Sequence, residues 1–155
     1  MRVGQHDDGY HGSFDDVGRR LTVGLQTVTF EIPAGRRAAV TARRALAATL
    51  DSWDLHDLRA DAELIVSELI SNAVMHAAGA STYELRISRN DTGLRIGVTD
   101  ESATKPTIRS PDDGQPGGRG LRIVAALATA WGYEPTTHGK QVWGQLDTSP
   151  SRGDP

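Results

Sequence analysis

A change of period narrows the possible folds of this chain most. Over residues 58–77 apolar side chains recur at helical spacing, and soon afterwards residues 83–89 and 94–100 alternate apolar and polar with period two. A helical period buries one stripe of a cylinder and a period of two buries one face of a sheet, so each element needs an apolar partner. Only Asn90-Asp-Thr-Gly93 separates the two alternating runs, which therefore pair as an antiparallel hairpin. The chain is α+β.

The remaining segments extend that frame. A β-branched run over 21–32 (Thr22, Val23, Val28, Thr29, Ile32) predicts one strand or a bent pair. Pro33 is placed where the first turn of a helix tolerates it, and 36–50 carries Ala, Arg and Leu at helical spacing. Asp57 is a candidate cap for the helix that starts at Leu58, and Gly79 stops that helix. An irregular stretch over 101–117 leads into a helix over 118–128, and 131–136 with 141–146 make a closing hairpin around Thr137-His-Gly-Lys140. The order β-α-α-β-β-loop-α-β-β predicts a two-layer sandwich, with a mixed or antiparallel sheet covered on one face by about three helices.

Length and composition set the limits. A chain of 155 residues is one domain, and 37% hydrophobic content supports a packed core. Residues 1–20 hold four glycines and four aspartates and predict a flexible tail, 21–147 the domain, and 148–155 a second tail. His6 and His11 beside Asp7 and Asp8 lack any structured ligand spacing and read as solvated tail. A net charge of −3 argues against a general nucleic-acid binder, and the absence of cysteine removes disulfides, thiolate catalysis and cysteine-ligated zinc. No apolar run is long enough for a membrane span and no signal peptide stands at the N-terminus, so a cytoplasmic protein is expected. Glycine is in excess, 17 residues of 155, and where the glycines sit carries the functional reading.

Three clusters hold chemistry. On the second helix Ala62, Ile65, Val66, Leu69, Ile70, Ala73, Val74 and Ala77 fill an arc of about 180°, and Glu68 and Asn72, four residues apart, share the other face. That face is either the wet side of an amphipathic helix or, since Leu64 and Met75 interrupt it, a pocket wall. Next, the parity of Leu94, Ile96 and Val98 puts Asp100 on the buried face, where a carboxylate needs a donor: the following turn, or an amine on a ligand. Finally, Gly114, Gly117, Gly118 and Gly120 open a helix whose free N–H groups and dipole favour an anion, most simply phosphate, unless the glycines are only a hinge. The run is neither a Walker sequence nor a dinucleotide fingerprint.

Taken in order, these clusters resemble the gyrase/histidine-kinase type of ATPase, with its Bergerat ATP-binding fold, and more closely its small stand-alone branch, the anti-sigma factor serine/threonine kinases. The resemblance rests on Ser67-Glu-Leu-Ile-Ser-Asn-Ala-Val-Met-His-Ala77, Val98-Thr-Asp-Glu-Ser102, Gly117-Gly-Arg-Gly-Leu-Arg-Ile-Val124 and Gly139-Lys-Gln-Val-Trp143. It implies that Asn72 coordinates Mg²⁺ with the phosphates of ATP, Glu68 is the general base, and Asp100 reads the adenine amino group. Gly118, Gly120 and Leu121 would present N–H groups to phosphate with Arg119 beside them, and 101–117 would be a lid. Lys140 and Gln141 would border the nucleotide, Gln141 at the place where the family usually has a threonine near adenine. Ser102 and Thr104 stand where histidine kinases have glycines, and His76 continues the Glu68, Asn72 series as a rim or packing residue.

The function implied is a regulatory protein that binds Mg-ATP, phosphorylates a Ser or Thr on an antagonist protein and holds a sigma factor inactive, acting on transcription through proteins rather than on DNA. A non-catalytic, nucleotide-dependent binding module is the alternative, and an unrelated α+β binding protein the third reading. The resemblance also makes a homodimer plausible through the first strand and helix.

Overall fold

The computed structural model describes residues 3–6, 25–77, 79–102 and 119–148, with backbone alone for 3–6 and Arg119. Six strands form one sheet in the order β1-β2-β3-β4-β6-β5, comprising β1 (Val3–His6), β2 (Gln26–Pro33), β3 (Thr82–Arg89), β4 (Gly93–Asp100), β5 (Ala130–Pro135) and β6 (Lys140–Asp147). Every neighbouring pair is antiparallel, so of the two sheet types expected the antiparallel one is realised. Helices α1 (Ala38–Ser52), α2 (Arg59–His76) and α3 (Arg119–Leu127) complete the α+β sandwich.

Alternation decides which face of the sheet the helices take. Phe30 and Ile32 on β2, Tyr83, Leu85 and Ile87 on β3, Leu94, Ile96 and Val98 on β4, and Val142 and Leu146 on β6 point to one side and are buried. The helices cover that side with small residues between large ones. Ala38, Ala42 and Ala45 of α1 and Ala62 and Ala73 of α2 let the two helices approach, while Leu46, Leu50, Ile65, Val66, Leu69 and Ile70 fill the space above the sheet. Of the arc expected on α2 only Val74, 45% exposed, falls outside the core. Arg43 Nη1 donates to Ser67 Oγ at 3.1 Å, and Ser67 Oγ to the Glu63 carbonyl at 2.8 Å, tying α1 to the α2 turn that bears Glu68.

Several local expectations are corrected. Val3–His6, placed in a flexible tail by its glycine-rich context, pairs with β2 in the register Val3↔Phe30 to His6↔Thr27. Strand pairing through the backbone needs no apolar side chains, and that is why composition gave no sign of it. Pro33 ends β2 instead of starting a helix; it lies beyond the stretch paired with β1, where a missing N–H breaks no bond on that side. Asp57 sits inside a short 3₁₀ turn (His56–Leu58), and α2 begins after Leu58 without a side-chain cap. Arg89, over the Trp53 ring at 5.2 Å and donating Nη1 to the Trp53 carbonyl at 2.7 Å, fixes the end of β3 to the end of α1. The expected lid over 101–117 lies outside the described residues after Ser102, as do Gly114, Gly117 and Gly118.

Candidate functional site

The first part of the site is the seam between α2 and α3. Glu68 and Asn72 lie one turn apart on α2, and α3 opens against them. A Cβ on Gly120 would stand 2.6 Å from Glu68 Oε2, so with the carboxylate in this position glycine gives the first turn of α3 its close approach, and a larger residue would displace the Glu68 side chain. Leu121 and Val124 of α3 are buried in the core, which holds that approach in place. The first turn of α3 also carries backbone N–H groups that have no partner within the helix, with the positive end of its dipole. Two of the three clusters read from the sequence therefore meet, through Glu68 and Gly120.

Asn72 is the exceptional residue of this seam. It is 6% exposed, yet its Nδ2 makes no hydrogen bond. A buried amide without a partner costs roughly 1–3 kcal/mol, and such a group in a native fold calls for a reason. An anionic ligand between α2 and the start of α3 would supply the missing acceptor. Leu64 and Met75, 44% and 47% exposed, flank the polar residues on this face.

The second part of the site lies at the ends of three adjacent strands. Tyr83 on β3, Asp100 on β4 and Lys140 on β6 share the helix-facing side, and the register sets Asp100 opposite Lys140. Lys140 Nζ donates to Asp100 Oδ1 at 3.1 Å, to Oδ2 at 3.2 Å and to the Ser102 carbonyl at 3.3 Å. The Ser102 N–H adds a fourth bond, to Asp100 Oδ1 at 2.8 Å. The donor that Asp100 requires is thus the following turn together with a buried ammonium from the chain itself. The two side chains are 1% and 3% exposed. Burial, and then the Asp100 charge, raises the Tyr83 phenol above its ordinary value of 10.0. Gly139 makes this junction possible: a Cβ there would stand 1.9 Å from the Asp100 carbonyl oxygen.

Gln141 does not join them. Alternation turns it to the opposite face of the sheet, where it lies over Gly97 and donates Nε2 to Thr99 Oγ1 at 3.4 Å. The residue facing Asp100 from the closing hairpin is Lys140, and the parity of Val142 and Leu146 was the available signal. The outer face is held by its own contacts, among them Arg95 stacked 3.9 Å above the Trp143 ring and paired with Glu134 at 2.8 Å. His76 is half-buried at the end of α2, and Arg119 begins α3.

The donor set suits a magnesium ion carried by phosphates. Among the described residues no group of three or more His, Cys, Asp or Glu side chains could hold a metal alone. Mg²⁺ bound to nucleotide keeps several waters and takes one or two protein oxygens, which a carboxamide at Asn72 can provide. Among the described residues no helix is long and apolar enough to cross a membrane. Residues 32–145 match the family model of the histidine kinase-like ATPase domain. No curated protein matches the chain.

Proposed function

The chain belongs to the histidine kinase-like ATPase family, and from that premise we propose that it is an ATP-binding regulatory protein with Mg²⁺-dependent serine/threonine kinase activity toward an antagonist protein, holding a sigma factor inactive by direct contact. The observation that carries the reading is the α2–α3 seam, with the Glu68 carboxylate against Gly120 and the unpartnered Asn72 Nδ2 one turn away.

In this reading the N–H groups at the start of α3 hold the β- and γ-phosphates, and Asn72 turns its carboxamide to the phosphates and the metal. Bound Mg²⁺ would neutralise charge on the transferring phosphoryl group. The Glu68 carboxylate takes the proton of the substrate hydroxyl as its oxygen bonds to the γ-phosphorus and the bond to the bridging oxygen breaks, releasing ADP. Partners are proteins, a sigma factor and its antagonist, and self-association through β1, β2 and α1 belongs to the same proposal.

Incubation with Mg-ATP and a candidate antagonist tests it by the mass of that partner. Transfer of one phosphoryl group, lowered about 10²–10⁴-fold in Glu68→Gln, is expected. Binding of ATP without transfer would instead establish the non-catalytic module, and transfer unchanged in Glu68→Gln would remove Glu68 from the reaction.

A further inference from the structure

We propose that the face of the sheet turned away from the helices carries a second binding site, a groove that takes an extended segment of a partner protein with carboxylates on alternate residues. The groove lies across the sheet from Glu68 and Asn72, and the inference does not rest on the nucleotide reading.

Period two decides what this face displays. β3 turns Glu84, Arg86 and Ser88 outward, β4 turns Arg95, Gly97 and Thr99, and β6 turns Gln141, Trp143 and Gln145. A cavity of about 280 Å³ lies over Arg86, Ser88, Arg95 and Gln145, and a second of about 440 Å³ over Glu84, Thr99 and Glu101. Arg86, Gln141 and Glu134 line both, so the two adjoin as one groove along β4.

Charge divides that groove. In a chain of net charge −3, its first half gathers the guanidiniums of Arg86 and Arg95, while Glu84 and Glu101 stand in the second. Arg95 is fixed by Glu134 at 2.8 Å and by the Trp143 ring at 3.9 Å. That ring lies against Gly132, where a Cβ would stand 3.0 Å from it, and its buried Nε1 has no acceptor, so packing alone places it. A guanidinium fixed on an aromatic face loses little freedom on meeting a carboxylate, and its fork of donors suits one. Arg86 is exposed and has no hydrogen bond or ion pair among the described residues. It is the cation left for an incoming anion.

Spacing identifies the occupant. Arg86 lies opposite Gly97 and Arg95 two residues before it, so the two are diagonal neighbours about 7–8 Å apart at their bases. Alternate residues of an extended chain point to one side and are about 6.7 Å apart. A segment laid across β3 and β4 therefore brings two alternate carboxylates to the two guanidiniums. Gln145, and Gln141 with its single long bond of 3.4 Å to Thr99, can serve the peptide groups of the segment. A free dicarboxylate would meet the arginines alone and leave the rest of the groove to water. Glu84 and Glu101 repel further acidic residues and so fix which half the carboxylates take.

NMR titration of the isotope-labelled full chain, which registers even millimolar binding, reads the site at the Gly97 amide and the Trp143 indole N–H. The probe is the end-capped peptide Ser-Glu-Ser-Glu-Ser. It should shift both signals, with affinity lowered about tenfold or more in Arg86→Gln. In Arg86→Glu, the same peptide with one Glu replaced by Lys should bind more tightly than the parent peptide does. Both substitutions are of an exposed side chain, and the spectra themselves report folding. Equal binding of glutarate would assign the site to free dicarboxylates and overturn the proposal, as would equal binding of a peptide with its two glutamates adjacent. Binding unchanged in Arg86→Gln overturns it too. So does a wild type that sediments as a dimer and becomes a monomer in Arg86→Gln, since a second copy would then occupy this face.

Discussion

Asp100 and Asn72 are buried to nearly the same extent, 3% and 6% exposed, and their surroundings treat them in opposite ways. Asp100 is enclosed by Lys140 and the Ser102 N–H. Asn72 keeps an N–H group with no acceptor. Polar groups that are satisfied internally fix a structure, whereas one left open costs stability until something binds it. The difference separates the part of the site that holds the strands together from the part that the proposed function assigns to a ligand, and the two are expected to respond differently to mutation.

The largest effect should follow from opening the closed part. Lys140→Ala leaves the Asp100 carboxylate buried without its cation, and loss of one partner of such a pair costs about 3–5 kcal/mol. Thermal denaturation followed by circular dichroism should show a melting temperature lower by roughly 10 °C or more; a fall of under 3 °C would mean that the pair does not hold the strand ends. Gly139→Ala acts on the same junction through space alone. Its new methyl collides with the Asp100 carbonyl, and overpacking of this kind costs about 1–3 kcal/mol, read in the same way.

At the open part the sign reverses. Asn72→Leu removes the unpartnered amide at similar volume, so the free protein should be unchanged or more stable by up to about 1–3 kcal/mol. The same variant should lose the rise in melting temperature that saturating Mg-ATP gives the wild type, about 2.7 kcal/mol of stabilisation at 100 times the dissociation constant. A destabilised Asn72→Leu that still responds to Mg-ATP would show that the amide is structural.

The smallest effect concerns alkaline pH. The folded Tyr83 phenol is raised above 10.0, so the unfolded chain loses its proton first. The stability this supplies is present below pH 10 and is lost as pH rises through the folded value. Urea denaturation between pH 8 and pH 11 should show a shallower decline in Tyr83→Phe than in the wild type; identical slopes would remove Tyr83 from the account.

Much of the fold was legible because period and position say the same thing. The helical stripe of α2 and the alternation of β3 and β4 reappear almost residue for residue, and the turn Asn90 to Gly93 is closed by Asn90 Oδ1 accepting the N–H groups of Thr92 and Gly93. The seam was legible in part. Glu68 and Asn72 were readable from spacing, but the meeting of Glu68 with Gly120 is a tertiary contact between helices more than 40 residues apart in the chain, which no local pattern encodes. Lys140 was legible in part: the sequence set it with Gln141 at the border of the nucleotide, and its parity with Val142 sets it on the core side, but the pairing with Asp100 joins residues 40 apart in the chain and is not written in either segment alone. β1 was not legible, since it pairs through backbone groups that any sequence possesses.

One further consequence follows from Lys140 lying opposite Asp100 as the last pair of the β4–β6 ladder. The chain leaves β4 after Asp100 and comes back to pair with it only at Lys140, by way of α3 and β5, so the ends of 101–139 are gathered at a neck fastened by an ion pair and a glycine contact. Lengthening the connection between β4 and α3 is expected to have little influence on the sheet, because doubling the length of a closed loop adds only about 0.6 kcal/mol to the free energy of closing it. Insertions within 103–118 should therefore be tolerated by the fold while the neck stays unchanged.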